Sequence, residues 1–159
     1  MNRTKKIILF TTSLIMGLVL SRFAISKLTG WEISVKAFIE MAKPLGIDPT
    51  FFRLFTGVLI LILFVSYLAV AILTLIKSKV NLPAKFDYYN LAFATNILGI
   101  LIMLGALLAE FYLRIQPKWL LVYIAIGVIV FSVINLRIIK NSISFYSIIS
   151  KAKNNVHVA

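Results

Sequence analysis

Residues 54–76, 88–109 and 119–136 of this chain form three stretches without a single charged side chain. A helix needs about 20 mostly apolar residues to cross the hydrocarbon of a bilayer. A helix on the surface of a soluble protein carries its apolar residues in one stripe, whereas here they run all the way round. The composition agrees: of 159 residues, 61% are hydrophobic and 14% charged. Soluble domains are about half apolar and about a quarter charged, and a core this small cannot hide the difference. The sequence therefore predicts an all-α fold, a four-helix transmembrane bundle forming one membrane domain over residues 1–159. The expected spans are about 7–28, 51–76, 88–114 and 118–139, with a helix or tail over 140–159 on the cytoplasmic side.

The first span is the compromised one. Residues 7–21 are apolar, then Arg22 intervenes. Full length requires the helix to run on to Leu28, with Arg22 and Lys27 extending their charges towards water. A cleaved leader is the competing reading, because a basic start and an apolar stretch precede the small residues Ala24-Ile25-Ser26. Arg22, lying between the apolar stretch and that site, favours a retained span.

Charge sets the expected orientation. The chain has 17 Lys+Arg against 5 Asp+Glu, a net charge of +12. The cations cluster at the ends of apolar runs rather than on one polar face, which argues against a nucleic-acid partner and for the positive-inside rule. Arg3, Lys5 and Lys6, then Lys77, Lys79 and Lys85, then Arg137, Lys140, Lys151 and Lys153 are expected on the cytoplasmic side. The connection over 31–50 sets Lys36 and Lys43 against Glu32, Glu40 and Asp48, and is expected outside. Asp48-Pro49 reads as an N-cap followed by proline at the first helical position. Asp87 can cap the third span similarly, while Pro83 and Gln116-Pro117 fall in connections. Trp31, Trp119, Tyr88 and Tyr89 fall at expected interfaces.

Within residues 31–43 a short extracytoplasmic amphipathic helix is expected. Trp31, Val35, Phe38, Ile39 and Ala42 share one face, and Glu32, Lys36 and Glu40 form an i,i+4 series on another. It reads as an interfacial helix or as a lid over a cavity. Residues 142–150 extend the fourth helix or lie on the inner leaflet, where Lys151 and Lys153 would meet membrane lipids or a partner subunit.

Ionisable groups inside a membrane are costly and mark candidate sites. Arg22, Lys27, Arg53, Glu110 and Arg114 thread to one layer in the outer half of the bundle. Glu110 needs a partner, and Arg114 at i+4 or Arg22 on the first helix can supply it. Two readings stand open: an ion-paired clamp between the first and third spans, or a polar pocket where Arg22, Lys27 and Arg53 attract an anionic or quinone-like headgroup. Ser66, Tyr67, Asn96, Ser132 and Asn135 are expected to bridge helices by hydrogen bonds. Ser13, Gly17 and Ser21, and likewise Gly105 and Ala109, are spaced as small-residue seams, within the bundle or between copies in a homo-oligomer.

The absence of cysteine removes disulfides, thiol catalysis, iron–sulfur clusters and Cys-based zinc sites. The lone histidine, His157, leaves no His-rich metal site. No catalytic constellation is legible, so an autonomous enzyme is not expected.

One resemblance adds to this. Residues 18–28, LVLSRFAISKL, followed by Phe38-Ile39-Glu40-Met41, Leu45-Gly46-Ile47 and Phe51-Phe52-Arg53-Leu54-Phe55-Thr56-Gly57, resemble the first half of the DoxX/DoxD-like membrane family. The likeness covers about residues 7–76. Val58-Leu59-Ile60 stands where members usually have an acidic residue, and Ala24-Ile25-Ser26 where they usually have a glycine. The resemblance implies four spans in a bacterial cytoplasmic membrane and an accessory or scaffold role beside a quinone-linked redox or envelope-stress system. A membrane or redox partner subunit, and a quinone or lipid as ligand, come with it. The alternatives from the residues are a small binder or carrier of lipophilic molecules and a structural subunit of a larger envelope complex.

Overall fold

The computed structural model describes residues 3–76 and 88–156, the part beyond 142 as backbone helix only. Five helices follow one another: α1 (Arg3–Leu28), α2 (Glu32–Ala42), α3 (Pro49–Ile76), α4 (Tyr88–Tyr112) and α5 (Trp119–Val156), with a 3₁₀ turn at Lys43–Leu45 after α2. There is no strand among the described residues. Arg3–Leu28, Pro49–Ile76, Tyr88–Tyr112 and the Trp119–Ser142 part of α5 are long and apolar enough to cross a membrane. The fold is thus the expected all-α bundle, and α1 does run through Arg22 and Lys27 to Leu28.

Local chemistry sets the boundaries at one end of the bundle. Asp48 Oδ1 accepts the Phe51 N–H at 2.6 Å, and Pro49 is the first residue of α3, as the sequence predicts. At the end of α1, Gly30 takes a left-handed φ of 71°, and the Trp31 N–H returns to the Ser26 carbonyl at 3.0 Å. That is the six-to-one bond of a Schellman ending. Arg53 of α3 donates to the neighbouring Lys27 carbonyl, placing a cation at the negative end of the α1 dipole.

The spans run up and down. α1 packs most extensively on α3, and α4 on α5, while α3 joins the two pairs. Met16, Leu20, Ile60, Leu63, Met103 and Val128 form the middle of the core. Leu9, Val70, Tyr88, Ala92 and Ile139 close the end opposite α2. At the α2 end, Ala37, Phe38 and Met41 pack against Phe52, Ala109 and Leu113.

The polar residues expected to bridge helices do so, except Ser66, whose hydroxyl bonds back to Ile62 O within α3. Thr12 Oγ1 lies 2.8 Å from Asn135 Oδ1, and Asn135 Nδ2 donates to Asn96 Oδ1 at 3.1 Å, linking α1, α5 and α4. Tyr67 and Ser132 join α3 to α5 through a 2.8 Å hydroxyl pair. These bonds fix the rotation of each span, since sliding or turning one would strand buried polar groups in hydrocarbon.

Several expectations need correction. The buried face of α2 is Ser34, Ala37, Phe38, Met41 and Ala42. Of the five residues read as one apolar face, Phe38 and Ala42 are buried against the bundle, whereas Trp31 and Ile39 are exposed along with Ile33. The helix is apolar over more than half its circumference, so residue type alone did not mark the covered side. Tyr88, at the first residue of α4, packs inward, with its hydroxyl 2.5 Å from Thr74 Oγ1. The two small-residue seams part company. Ser13 and Gly17 lie buried, and a Cβ at Gly17 would come within 3.1 Å of Leu68, so this seam packs α1 on α3. Gly105 has nothing within 4 Å of a built Cβ and seals no helix contact.

The connection with Lys77, Lys79, Pro83, Lys85 and Asp87 lies outside the described residues, as does His157. α5 continues as one helix to Val156, in keeping with an extension of the fourth span. What the side chains of 143–156 touch lies outside the described residues.

Candidate functional site: a cavity beneath the connecting helix

A cavity of about 600 Å³ occupies the α2 end of the bundle, within the size range of small-molecule sites. All four spans and α2 contribute to its wall. Most of the wall is apolar: Phe23 and Leu20 from α1, Leu59 and Ile60 from α3, Leu101 and Ile102 from α4. Gly105, Ala106 and Ala109 make one side of α4 thin and leave the space unfilled. Ile33, Leu101, Gly105 and Ala106 are wall residues that remain exposed, so the cavity is open rather than sealed. α2 forms the remaining boundary with Ile33, Ser34, Ala37, Phe38 and Met41.

One corner is polar. Glu110 Oε1 accepts from Arg114 Nη1 at 2.6 Å and from the Lys118 backbone N–H at 2.6 Å. The Arg114 and Glu110 side chains are 5% and 7% exposed. Glu110 thereby satisfies a free N–H at the start of α5, where the helix dipole also favours an anion. Glu40 reaches across from α2. Its Oε1 accepts the Ile115 N–H at 2.8 Å, and its Oε2 stands 3.7 Å from Arg114 Nε. Two carboxylates from different helices therefore organise the α4–α5 turn, and one of them ties α2 down.

The five candidate residues divide. Lys27, Glu110 and Arg114 line the cavity. The Lys27 ammonium sits 4.7 Å from the centroid of the Phe38 ring, a cation–π contact with α2. Arg53 does not line the cavity; its guanidinium is committed to the end of α1. Arg22 is exposed on α1, and Glu110 pairs with Arg114 instead. The physical reason is reach: Arg114 follows four residues after Glu110, in the turn just past the end of α4, whereas Arg22 points out of the bundle. The expected clamp between the first and third spans is accordingly not made by Arg22. A clamp does exist, between α2 and the α4–α5 turn.

Sequence reasoning missed Glu40 as a tether, because Glu32 and Lys36 form the exposed i,i+4 pair beside it at 2.6 Å. It also missed Ser34. The signal was present, since Ser34, Ala37, Phe38 and Met41 follow helical spacing and Ser34 is the one polar member. Among the described residues, no group of three His, Cys, Asp or Glu could hold a metal ion.

Neither family models nor curated proteins nor solved structures match this chain. The functional reading therefore rests on the geometry of the cavity and on the chemistry of its wall.

Proposed function

We propose that this four-span membrane protein binds a lipophilic molecule in the cavity beneath α2. The observation that carries the reading is the cavity itself: an apolar space of about 600 Å³, open at its side, with charged groups confined to one corner. Such a shape suits a molecule with an apolar body and one polar end. Exposed apolar residues at the start of and along α2, namely Trp31 before its first turn and Ile33 and Ile39 within it, suit a helix lying at the membrane interface. The DoxX-like resemblance of residues 7–76 gives the molecule a setting, in which an accessory subunit holds a quinone or lipid beside a redox or envelope-stress partner.

Binding should be visible as stabilisation. A ligand at a hundredfold excess over its Kd adds about 2.7 kcal/mol, or roughly 5–10 °C in melting temperature for a chain of this size. Purified protein in mild detergent, melted with oleic acid or decylubiquinone, is expected to show such a rise with at least one of them. Gly105→Phe should abolish it by filling the cavity, with little cost to the fold, because nothing lies within 4 Å of the added Cβ. No rise with either probe, or an equal rise in Gly105→Phe, would count against the cavity.

The same reading places the chain in a bacterial cytoplasmic membrane with both termini inside. Support comes from charge. Among the described residues, Arg3, Lys5, Lys6, Arg137 and Lys140 belong to the end opposite α2 with no acid beside them. At the α2 end, Glu32, Glu40, Asp48 and Glu110 offset the cations Arg22, Lys27, Lys36, Lys43, Arg53, Arg114 and Lys118. Lys77, Lys79, Lys85, Lys151 and Lys153 of the sequence add to the first group by their place in the chain. The natural absence of cysteine makes labelling clean. In intact cells, Lys36→Cys should react with an impermeant maleimide and Lys5→Cys should not; the reverse pattern would invert the orientation.

A further inference from the structure

We propose that the cavity selects amphiphiles with an anionic oxygen headgroup, which Lys27 and Ser34 bind; this rests on the lipophile-binding reading above. Lys27 lines the cavity and, among the described residues, makes no ion pair. Glu110, the acid in the cavity wall, is already engaged by Arg114 and by the Lys118 N–H. Glu40 is engaged by the Ile115 N–H. Glu110 acts on Lys27 only from beyond ion-pair contact. A buried cation without a carboxylate in direct contact is expensive, and a neutral headgroup would leave it so. An anionic headgroup supplies the missing partner.

Ser34 is the second half of the argument. It is 7% exposed, lines the cavity, and its hydroxyl has no hydrogen-bond partner. Helical hydroxyls in this protein commonly bond back one turn: Ser66 to Ile62 O, Thr74 to Val70 O, Ser142 to Ile138 O. Ser34 sits in the first turn of α2, and the residue four before it is Gly30, in the turn outside the helix. The local bond that quiets the other hydroxyls is therefore missing. A buried hydroxyl left unpaired costs free energy, and a ligand oxygen would satisfy it. Phe38, which carries the Lys27 ammonium on its ring, lies one turn along the same face of α2. The cation and the hydroxyl thus face one cavity from α1 and α2. The headgroup chemistry is an oxyanion, a carboxylate or a phosphate, on an apolar tail.

The test uses three ligands with one tail: oleic acid, oleyl phosphate and oleyl alcohol, titrated calorimetrically into the purified protein in detergent. At least one of the two acids is expected to bind about 10- to 100-fold tighter than the alcohol, the range of a hydrogen bond to a charged group. Whichever acid is preferred assigns the headgroup as carboxylate or phosphate. Lys27→Met should bring the acids down to the affinity of the alcohol, and Lys27→Arg should keep the preference. Ser34→Ala should weaken acid binding severalfold without lowering the melting temperature, because it removes a hydroxyl that the empty fold does not use. Equal affinity of wild type for the acids and the alcohol overturns the anionic headgroup and leaves lipophile binding standing. Binding of none of the three overturns both.

Discussion

Glu110→Ala is expected to lower the stability of the purified protein by about 3–5 kcal/mol, the cost of breaking a buried ion pair from one side. The loss has two sources. Arg114, whose side chain is 5% exposed, would keep its charge with no carboxylate accepting a short hydrogen bond from it, since Glu40 Oε2 stands at 3.7 Å from Nε. The Lys118 N–H at the start of α5 would lose its acceptor as well. Removing both charges is a different matter, because an apolar pair in place of a buried ion pair is often neutral. Glu110→Ala with Arg114→Met should therefore recover most of the loss. Unfolding titrations in mixed micelles give both values. A cost below about 1 kcal/mol for the single variant would mean that water or lipid headgroups already satisfy Arg114, as at an exposed pair.

Gly99→Ala should cost about 1–3 kcal/mol, although a helical Gly→Ala change is favourable by about 1 kcal/mol on propensity alone. The Tyr67 hydroxyl occupies the place where the new methyl would go, and the ring carbon bearing it would lie 3.1 Å away. Tyr67 is 0% exposed and fixed by its 2.8 Å bond to Ser132. It cannot yield without breaking that bond or shifting α3 away from α4. Overpacking of this kind costs about 1–3 kcal/mol, and an interhelical hydrogen bond in a membrane adds about 0.6. Tyr67→Phe removes the colliding oxygen. Gly99→Ala combined with Tyr67→Phe should thus be more stable than the sum of the two single losses, a coupling of the size seen between touching residues. Strict additivity would show that Gly99 is not there to admit Tyr67.

The spans were legible because a bilayer demands length and apolarity, and residues 54–76, 88–109 and 119–136 meet both without help from tertiary contacts. The Asp48 cap was legible for a similar reason, since a carboxylate before Pro49 is a local signal. The site was legible in part. Glu110 and Arg114 could be paired from i,i+4 spacing alone, and that pair is present at 2.6 Å. Arg22 and Arg53 were drawn into the same layer by depth, but depth says nothing of rotation about the helix axis. Rotation turns Arg22 outward and sends Arg53 to the end of α1. Glu40 and Ser34 act through the docking of α2, which depends on contacts between helices far apart in sequence. Gly105 signals close packing by spacing, yet it faces open space. A small residue permits either a neighbour or a cavity, and only the arrangement of the other helices decides between them.

The cavity is most directly tested by native mass spectrometry of the protein released from its own membranes into mild detergent. Wild type is expected to carry one lipophilic molecule per chain, and Gly105→Phe is expected to emerge empty. A wild-type chain without ligand, or the same molecule retained equally by Gly105→Phe, would contradict a ligand-holding cavity beneath α2.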